Sequence, residues 1–175
     1  MPSSGRAIAG FIGRNVPIHV IQLITGILPN CSWSARVRGF LVGPFLGHCG
    51  GGFMLGSGVV LGKPGKLAVG HGVYIAHYTY INANGGLFLD DGVAIGPMCV
   101  LATSNHKRRN GRVSFESEDH EIHVGAGTWL GAHVTLTSGV HVGAGVVVGA
   151  GSVVTRDVQD NVLVAGSPAK VIRHL

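Results

Sequence analysis

One interval of the chain is polar where its surroundings are apolar. Between Leu101 and Val124 the sequence reads ATSNHKRRNGRVSFESEDHEIH and contains His106. Four basic residues follow this histidine: Lys107, Arg108, Arg109 and Arg112. Histidine is the natural general base near neutral pH, and ammonium and guanidinium groups bind phosphate oxygens. Solvated loop side chains are the plainer interpretation, so the surrounding elements decide between the two.

The chain around this interval repeats every six residues. The large aliphatic positions after it are Val124, Leu130, Leu136, Val142, Val148 and Val154. A period of six fits neither a helix nor an alternating strand, and it is typical of a parallel β-helix in which each unit forms a short strand and a corner. Strand alternation turns the first and fifth residues of each unit inward, and glycine at the second suits a crowded corner.

The same repeat extends back to Leu55, with two steps of eight residues. Only the interval from Leu101 to Val124, a step of 23, breaks it. Loops of that length in compact folds are usually functional or disordered. His106 stands where the last strand of a coil gives way to the loop, which places it on the rim of the solenoid.

Composition limits the classes of protein. A chain of 175 residues that is 46% hydrophobic and 12% charged predicts one folded domain and excludes disorder. The three cysteines are odd in number and lack metal-binding spacing, so neither a disulfide framework nor a zinc knuckle is indicated, and Cys99 occupies an inward position. The net charge of +5 suits a phosphate-bearing ligand, but no basic stripe interleaved with aromatic residues indicates nucleic acid.

The segment before the coils lacks the six-residue repeat and has a different hydrophobic pattern. Two short amphipathic helices are expected there, at roughly 17–28 and 32–46. The apolar run from Ile18 to Leu28 is too short to span a membrane. A cap over the first coil is one interpretation of the segment. Attachment to a membrane surface, with Arg36 and Arg38 facing headgroups, is the other.

The expected organisation therefore has three parts. Residues 1–50 form the helical cap segment, residues 51–160 form the β-helix with a protruding loop at about 105–123, and residues 161–175 form a tail.

Several segments together resemble the hexapeptide-repeat acyltransferases, near the galactoside, maltose and polysaccharide O-acetyltransferases. They are the repeat itself, SNH at the start of the loop, TWLG where the repeat resumes, and the closing GAGSVVTRDVQDNVLVAGSPAKVIR. The resemblance covers about residues 55–175, and the N-terminal segment is similar only to polysaccharide-modifying members. It implies a homotrimer with active sites between subunits and acetyl-CoA as donor. It also implies a left-handed β-helix, although general rules favour right-handed crossovers.

The resemblance also implies roles for individual residues. It identifies His106 as the general base in a direct transfer without an acyl-enzyme, and the backbone N–H of Ala132 as the oxyanion donor. It places Trp129 along the route of the pantetheine arm, for which packing under the loop is the alternative. The cations expected to bind the phosphates of acetyl-CoA are Lys170, Arg173, Arg108 and Arg109. Solvated charge, or an acidic polysaccharide bound by the loop cluster, is the competing explanation.

The acceptor is expected to bind near AHYTYINANGG, whose polar residues His77, Asn82 and Asn84 suit sugar hydroxyls. The galactoside and maltose enzymes usually have asparagine where this chain has His77, which argues against a simple sugar acceptor like theirs. The expected activity is acetyl-CoA-dependent O-acetylation of a sugar or polysaccharide precursor in the cytoplasm, with the inner face of the membrane as a further location.

Other functions remain open at this point. N-acetylation of an amino sugar or xenobiotic needs the same donor and base. A zinc enzyme like the γ-class carbonic anhydrases would need a pair of histidines five residues apart, which the chain lacks, so no metal is expected. A non-catalytic β-helical scaffold would have no reason to interrupt its repeat with a basic loop that begins at a histidine.

Overall fold

The computed structural model of the chain describes residues 10–175, which form a parallel β-solenoid of about six coils preceded by two helices. The first nine residues of the expected cap segment lie outside the described residues. The fold is mostly β, as the hexapeptide spacing predicts.

Two helices precede the coils. After a π-helical turn at Phe11–Asn15, α1 spans Val16–Thr25 and α2 spans Ser32–Val42, followed by a 3-10 turn at Gly43–Phe45. Both helices are shorter than the expected 17–28 and 32–46. Gly26 directly follows α1 and Pro44 lies just beyond α2, which accounts for the earlier ends, because glycine is a poor helix residue and proline lacks the N–H that a helix interior needs. No helix within residues 10–175 is both long and apolar enough to cross a bilayer.

The inner side of the helices covers the first coil. Ile18 of α1 and Val42 of α2 are buried in the same core as the coil residues. At Gly39 the α2 backbone lies so close to the carbonyl of Phe53 that a β-carbon would overlap it. The helices therefore close the end of the solenoid, as solenoids require.

The strands of the coils stack into three parallel faces, here named A, B and C. Face A comprises His48–Cys49, Leu67–Val69, Leu87–Leu89, Ile122–Val124 and His141–Val142. Face B comprises Met54–Leu55, Tyr74–Ile75, Ala94–Ile95, Trp129–Leu130, Val147–Val148 and Val162–Gly166, with Ala169–His174 added antiparallel. Face C comprises Val60–Gly62, Tyr80–Asn82, Val100–Ala102, Thr135–Leu136 and Val153–Val154.

Corners are named by the faces that they join, as AB, BC and CA. The coils begin at His48, slightly before the expected residue 51. The segment expected as a tail instead extends face B, because Val162–Gly166 pairs in parallel with Val147–Val148 and then turns back as Ala169–His174. The loop expected at about 105–123 is a β-hairpin at corner CA, formed by Ser104–Arg109 and Arg112–Asp119.

The core follows the hexapeptide positions. All six large aliphatic residues from Val124 to Val154 are buried, and so are Thr128 and Ser152 at the fifth position of their units. The two buried hydroxyls donate to the carbonyls of Gly143 and Gly149, so they cost little in the interior. Cys99 is also buried, as its inward position predicts.

Glycine at the second position of the repeat permits the coils to stack. A β-carbon at Gly125 would lie 2.6 Å from the backbone nitrogen of Ala144 in the next coil. We expect Gly125→Ala to lower the free energy of unfolding by about 1–3 kcal/mol, because the backbone atoms that it meets cannot rotate away. Gly13→Ala is the matched control, since no atom lies within 4 Å of its β-carbon position. Thermal unfolding measures both, and equal stabilities would contradict the crowding argument.

Candidate active site

The hairpin at corner CA carries His106. Its turn is Asn110-Gly111, and both residues have positive φ, 50° and 75°. An Asn-Gly pair between two strands is a strong sequence signal for a hairpin turn, and it could have identified this element in advance. Most of the hairpin is exposed, and its two strands pair chiefly with each other.

A backbone carbonyl orients the imidazole of His106. The pairing register shifts between His106 and Arg108, and the carbonyl oxygen of Ser114 lies 3.0 Å from Nδ1 of the histidine. A carbonyl oxygen can only accept a hydrogen bond, so Nδ1 donates and carries the proton. In the neutral ring Nε2 then keeps a free lone pair, which is the arrangement of a general base. Ser114 was not among the residues expected to contribute to the site.

His77 has the opposite arrangement. Its Nδ1 accepts a hydrogen bond from the backbone N–H of Ser57 at 3.0 Å, so the ring lone pair at this nitrogen is already occupied. The side chain lies at corner BC beside a cavity of about 360 Å³ next to the start of α2, and not at corner CA with His106. Of the two histidines, only His106 has its nitrogen lone pair free for a substrate.

Asn82 and Asn84 lie at the base of the hairpin. The Oδ1 atom of Asn82 accepts hydrogen bonds from the backbone N–H of Asn84 at 2.9 Å and from the hydroxyl of Ser104 at 3.4 Å. Ser104 begins the strand that carries His106. The structure therefore joins these two asparagines to the element of His106 and separates them from His77.

A cavity of about 460 Å³ opens beside the two asparagines. Polar and basic side chains line it, among them Arg14, Lys63, Lys66, Tyr80, Asn82 and Asn84. This volume is within the range of small-molecule sites. Lys66 is held toward the backbone carbonyl of Asn84 by a short hydrogen bond. The cavity thus places several polar and basic groups at the corner that carries His106.

Ala132 lies at corner BC and its backbone N–H is available. The equivalent N–H of Ser57 is occupied by His77 of the following coil, whereas Ala132 is followed by Ala150, which has no acceptor. Among residues 10–175, the Ala132 N–H has no hydrogen-bond partner. A free N–H fixed by the stacked backbone is suited to stabilise an oxyanion.

Cys99 lies inside corner BC. Its Sγ is 3.1 Å from the carbonyl oxygen of Gly131, and burial raises the pKa of the thiol. A buried, protonated thiol is a poor nucleophile, so Cys99 is a core residue and not a candidate for an acyl-enzyme.

Trp129 and the expected tail cations share the outer side of face B. The Trp129 side chain is 55% exposed, and the strand register aligns Trp129 with Val147, then Leu163, then Arg173. Three strand spacings place the Arg173 backbone about 14 Å from that of Trp129. Lys170 pairs with Ala165 and is exposed on the same strand as Arg173. Trp129 and Arg173 therefore lie in one column, with Lys170 further along the last strand, and the three could hold an extended ligand with anionic groups at one end.

Arg108 and Arg109 lie elsewhere, at the tip of the hairpin. Arg109 pairs with Glu116, with 2.8 Å between Nη2 and Oε2, and both side chains are exposed. Arg108 donates to the carbonyl of Gly111 in the turn. Within one chain, these two arginines are therefore apart from Lys170 and Arg173.

One side-chain cluster in the described part of the chain could share an ion. Glu121, His123 and His141 have ligand atoms within 4.8 Å of one another on face A. His123 also stacks on Phe88, with ring centroids 4.4 Å apart. The cluster does not include His106 and contains only two histidines, so it is not the three-histidine zinc set of the γ-class carbonic anhydrases.

Comparison with known proteins identifies the family. The family model described as "Bacterial transferase hexapeptide (six repeats)" matches residues 121–156. Galactoside O-acetyltransferase of Escherichia coli (strain K12) is 33% identical over 132 residues, which are 69% of this chain and 63% of that protein. The chain thus spans less than two thirds of the length of this relative. Nodulation protein L of Rhizobium meliloti (strain 1021) is 35% identical over 127 residues, 67% of this chain and 68% of that protein.

Solved structures show the same architecture. A hexapeptide-repeat containing acetyltransferase from Vibrio cholerae O1 biovar eltor, complexed with acetyl coenzyme A, is similar with a TM-score of 0.75 and 26% sequence identity. The match covers 100% of this chain and 92% of that one. The solenoid is the left-handed β-helix of such enzymes. With the hexapeptide repeat matched in both sequence and structure, the chain belongs to the hexapeptide-repeat acyltransferase family.

Proposed function

We propose that the protein is an acetyl-CoA-dependent O-acetyltransferase that acts on a hydroxyl of a sugar or polysaccharide precursor. The observation that carries this proposal is the hydrogen bond from His106 Nδ1 to the Ser114 carbonyl, which leaves Nε2 free as a base. The Escherichia coli relative is named for O-acetylation of galactosides, and the Vibrio cholerae neighbour was solved with acetyl coenzyme A.

The proposed reaction is a direct transfer. The acceptor oxygen attacks the thioester carbonyl carbon while His106 Nε2 takes the hydroxyl proton, and the carbonyl oxygen becomes an oxyanion that accepts a hydrogen bond from the Ala132 N–H. The carbon–sulfur bond then breaks, and the imidazolium returns its proton to the departing thiolate. No side-chain nucleophile is needed, which agrees with the burial of Cys99.

The donor is proposed to lie along face B. The exposed indole of Trp129 offers an apolar surface for the pantetheine arm, and Lys170 and Arg173 on the last strand of the same face offer cations for the phosphates. The acceptor is proposed to lie at corner CA, where Asn82, Asn84 and the adjoining cavity provide hydrogen-bonding groups at the base of the His106 hairpin.

The proposed site has two sides, here called walls: the oxyanion donor Ala132 at corner BC and the base His106 at corner CA. In a single chain they lie at opposite edges of face C. In a ring of copies with face C innermost, corner BC of one copy would meet corner CA of the next, and each site would then hold both walls. The outward residues of face C are mostly apolar, namely Val60, Tyr80, Val100, Thr135 and Val153. We therefore propose a homotrimer in which His106 of one copy acts beside Ala132 of its neighbour.

The assembly can be tested on face C. Val60 is 53% exposed in the single chain, and we expect Val60→Glu to weaken association by about 10²-fold, because a carboxylate would be buried in an apolar contact. Turnover should fall in parallel as trimers dissociate. Ala68→Glu, which places the same charge outward on face A, is the matched control. Light scattering measures the mass, and a wild-type monomer with full activity would refute the shared site.

The acceptor is tested directly by mass spectrometry. Purified protein is incubated with acetyl-CoA and a panel of neutral sugars, amino sugars, nucleotide sugars and polysaccharide fragments. An acetylated product with an ester that mild base removes supports O-acetylation, while a base-stable amide would replace it with N-acetylation. Absence of any acetylated product together with absence of acetyl-CoA binding would overturn the proposed function.

A further inference from the structure

The outer side of α1 is apolar and uncovered. Its exposed aliphatic residues recur at helical spacing and are Val16, Val20, Leu23 and Ile24, and exposed Ile27 follows in the turn after the helix. Leu23 is 71% exposed and Ile27 is 88% exposed. The opposite side of the helix holds it on the coils through buried Ile18 and a 2.7 Å hydrogen bond from Gln22 Nε2 to the Val59 carbonyl. Capping the solenoid therefore accounts for only one side of α1.

The outer side of α2 continues this surface with aromatic residues and a cation. Trp33 and Phe40 are 61% and 81% exposed, and Arg36 is exposed between them at helical spacing. The expectation that Arg38 faces headgroups is wrong, because its side chain is buried. Its Nη2 instead connects the two helices by donating to the carbonyls of Thr25, the last residue of α1, and of Leu28 just beyond it. The two outer sides, here called the cap surface, are thus held in a fixed relation.

Charge is distributed very unevenly along the chain. Residues 1–89 contain six lysines and arginines and no aspartate or glutamate, whereas residues 90–175 contain seven lysines and arginines and eight acidic residues. Around the start of α1, exposed Arg14, Lys63 and Lys66 surround the cavity that Phe11 also lines. The end of the molecule that bears the cap surface is therefore positively charged without internal neutralisation.

We infer that the cap surface binds the surface of an anionic lipid bilayer. Exposed aliphatic side chains with tryptophan and flanking cations are the features of helices that lie in the interface of a membrane. A second copy that docked through the same surface would bring two positive ends together, which disfavours that occupant. The inference does not depend on the acetyl-transfer chemistry. Since anionic lipids are typical of the cytoplasmic leaflet, it places the protein at the inner face of a membrane.

Vesicle flotation of the full chain tests this inference. Wild-type protein should float with vesicles of phosphatidylcholine and phosphatidylglycerol, float far less with phosphatidylcholine alone, and be released as salt rises. We expect the double variant Leu23→Glu, Ile27→Glu to lose about tenfold or more in affinity for the anionic vesicles, because two apolar anchors become anionic. Arg36→Gln should weaken binding and reduce its dependence on salt.

The matched control is Val113→Glu on the hairpin, where the valine is 71% exposed, as Leu23 is. It should float like the wild type. Flotation of the double variant at wild-type affinity, or failure of the wild type to bind anionic vesicles, would overturn the inference. Light scattering provides a second result that would overturn the inference. If the wild type is an oligomer and the double variant is a monomer, the cap surface is a subunit contact.

Discussion

Replacing His106 with alanine is expected to lower kcat by about 10² to 10⁴, the usual contribution of a positioned general base. The structure supports this role because His106 Nδ1 donates to the Ser114 carbonyl and leaves Nε2 free. The affinity for CoA should change far less, since the donor column of Trp129 and Arg173 lies on face B and not on the hairpin. Steady-state kinetics with a saturating acceptor and calorimetry of CoA binding separate the two effects.

His120→Ala is the control for this substitution. His120 is also exposed and lies directly after the hairpin, where its Nε2 is 3.5 Å from Glu118 Oε1. Its loss should leave turnover close to the wild-type value. Near wild-type turnover of His106→Ala would mean that the base lies elsewhere.

The coils are predictable from sequence because one interaction repeats at every step. In every six-residue unit the first and fifth residues point inward and the second has little space for a side chain. The same residue types are therefore required at the same positions of the next unit. The hairpin is less obvious because its strands are exposed and mostly polar, and the alternation of Val113 and Phe115 with polar neighbours is too short to predict a strand. Asn110-Gly111 is the one local signal, and a turn of this kind implies two flanking strands.

The site is only partly predictable because strand position along the chain does not reveal which corner a residue occupies. His77 is five residues from Asn82 in sequence, yet a single strand of face C, Tyr80–Asn82, separates their corners. The protonation of the two histidine rings depends on backbone partners, Ser57 for His77 and Ser114 for His106. Side-chain identity contains no information about such partners, so the sequence separates the two histidines by position and resemblance, and only the folded chain shows their hydrogen bonds.

In the proposed arrangement each active site needs two copies of the chain, because the two walls lie at different corners. The proposed base is on the hairpin at corner CA, and the proposed oxyanion donor is at corner BC on the other edge of face C. Each wall is rigid on its own, because stacked coils hold the one and a paired hairpin holds the other. Assembly would then regulate activity directly, since separated copies would retain either wall without the other.

Replacing Ala132 with proline is expected to lower kcat by about 10² to 10³, the usual cost of removing one oxyanion donor. Proline lacks the N–H, and the corner can accommodate it. Pro97 occupies the same corner position in the coil below, after a glycine as Ala132 is, and His133 donates to its carbonyl. The substitution therefore removes a hydrogen atom from the site with little change in the backbone, and thermal unfolding should confirm that stability is retained.

Ala126→Pro is the matched control, because Ala126 also follows a glycine at the third position of its unit but lies at corner AB. It should keep wild-type turnover. A second variant blocks the donor without removing it. Asp91 and Asp160 already accept the equivalent N–H groups of His71 and Ala144 in the coils beneath them, so Ala150→Asp should occupy the Ala132 N–H in the same way. Both Ala132→Pro and Ala150→Asp should therefore lower kcat, and full turnover in either folded variant would exclude this N–H as the oxyanion donor.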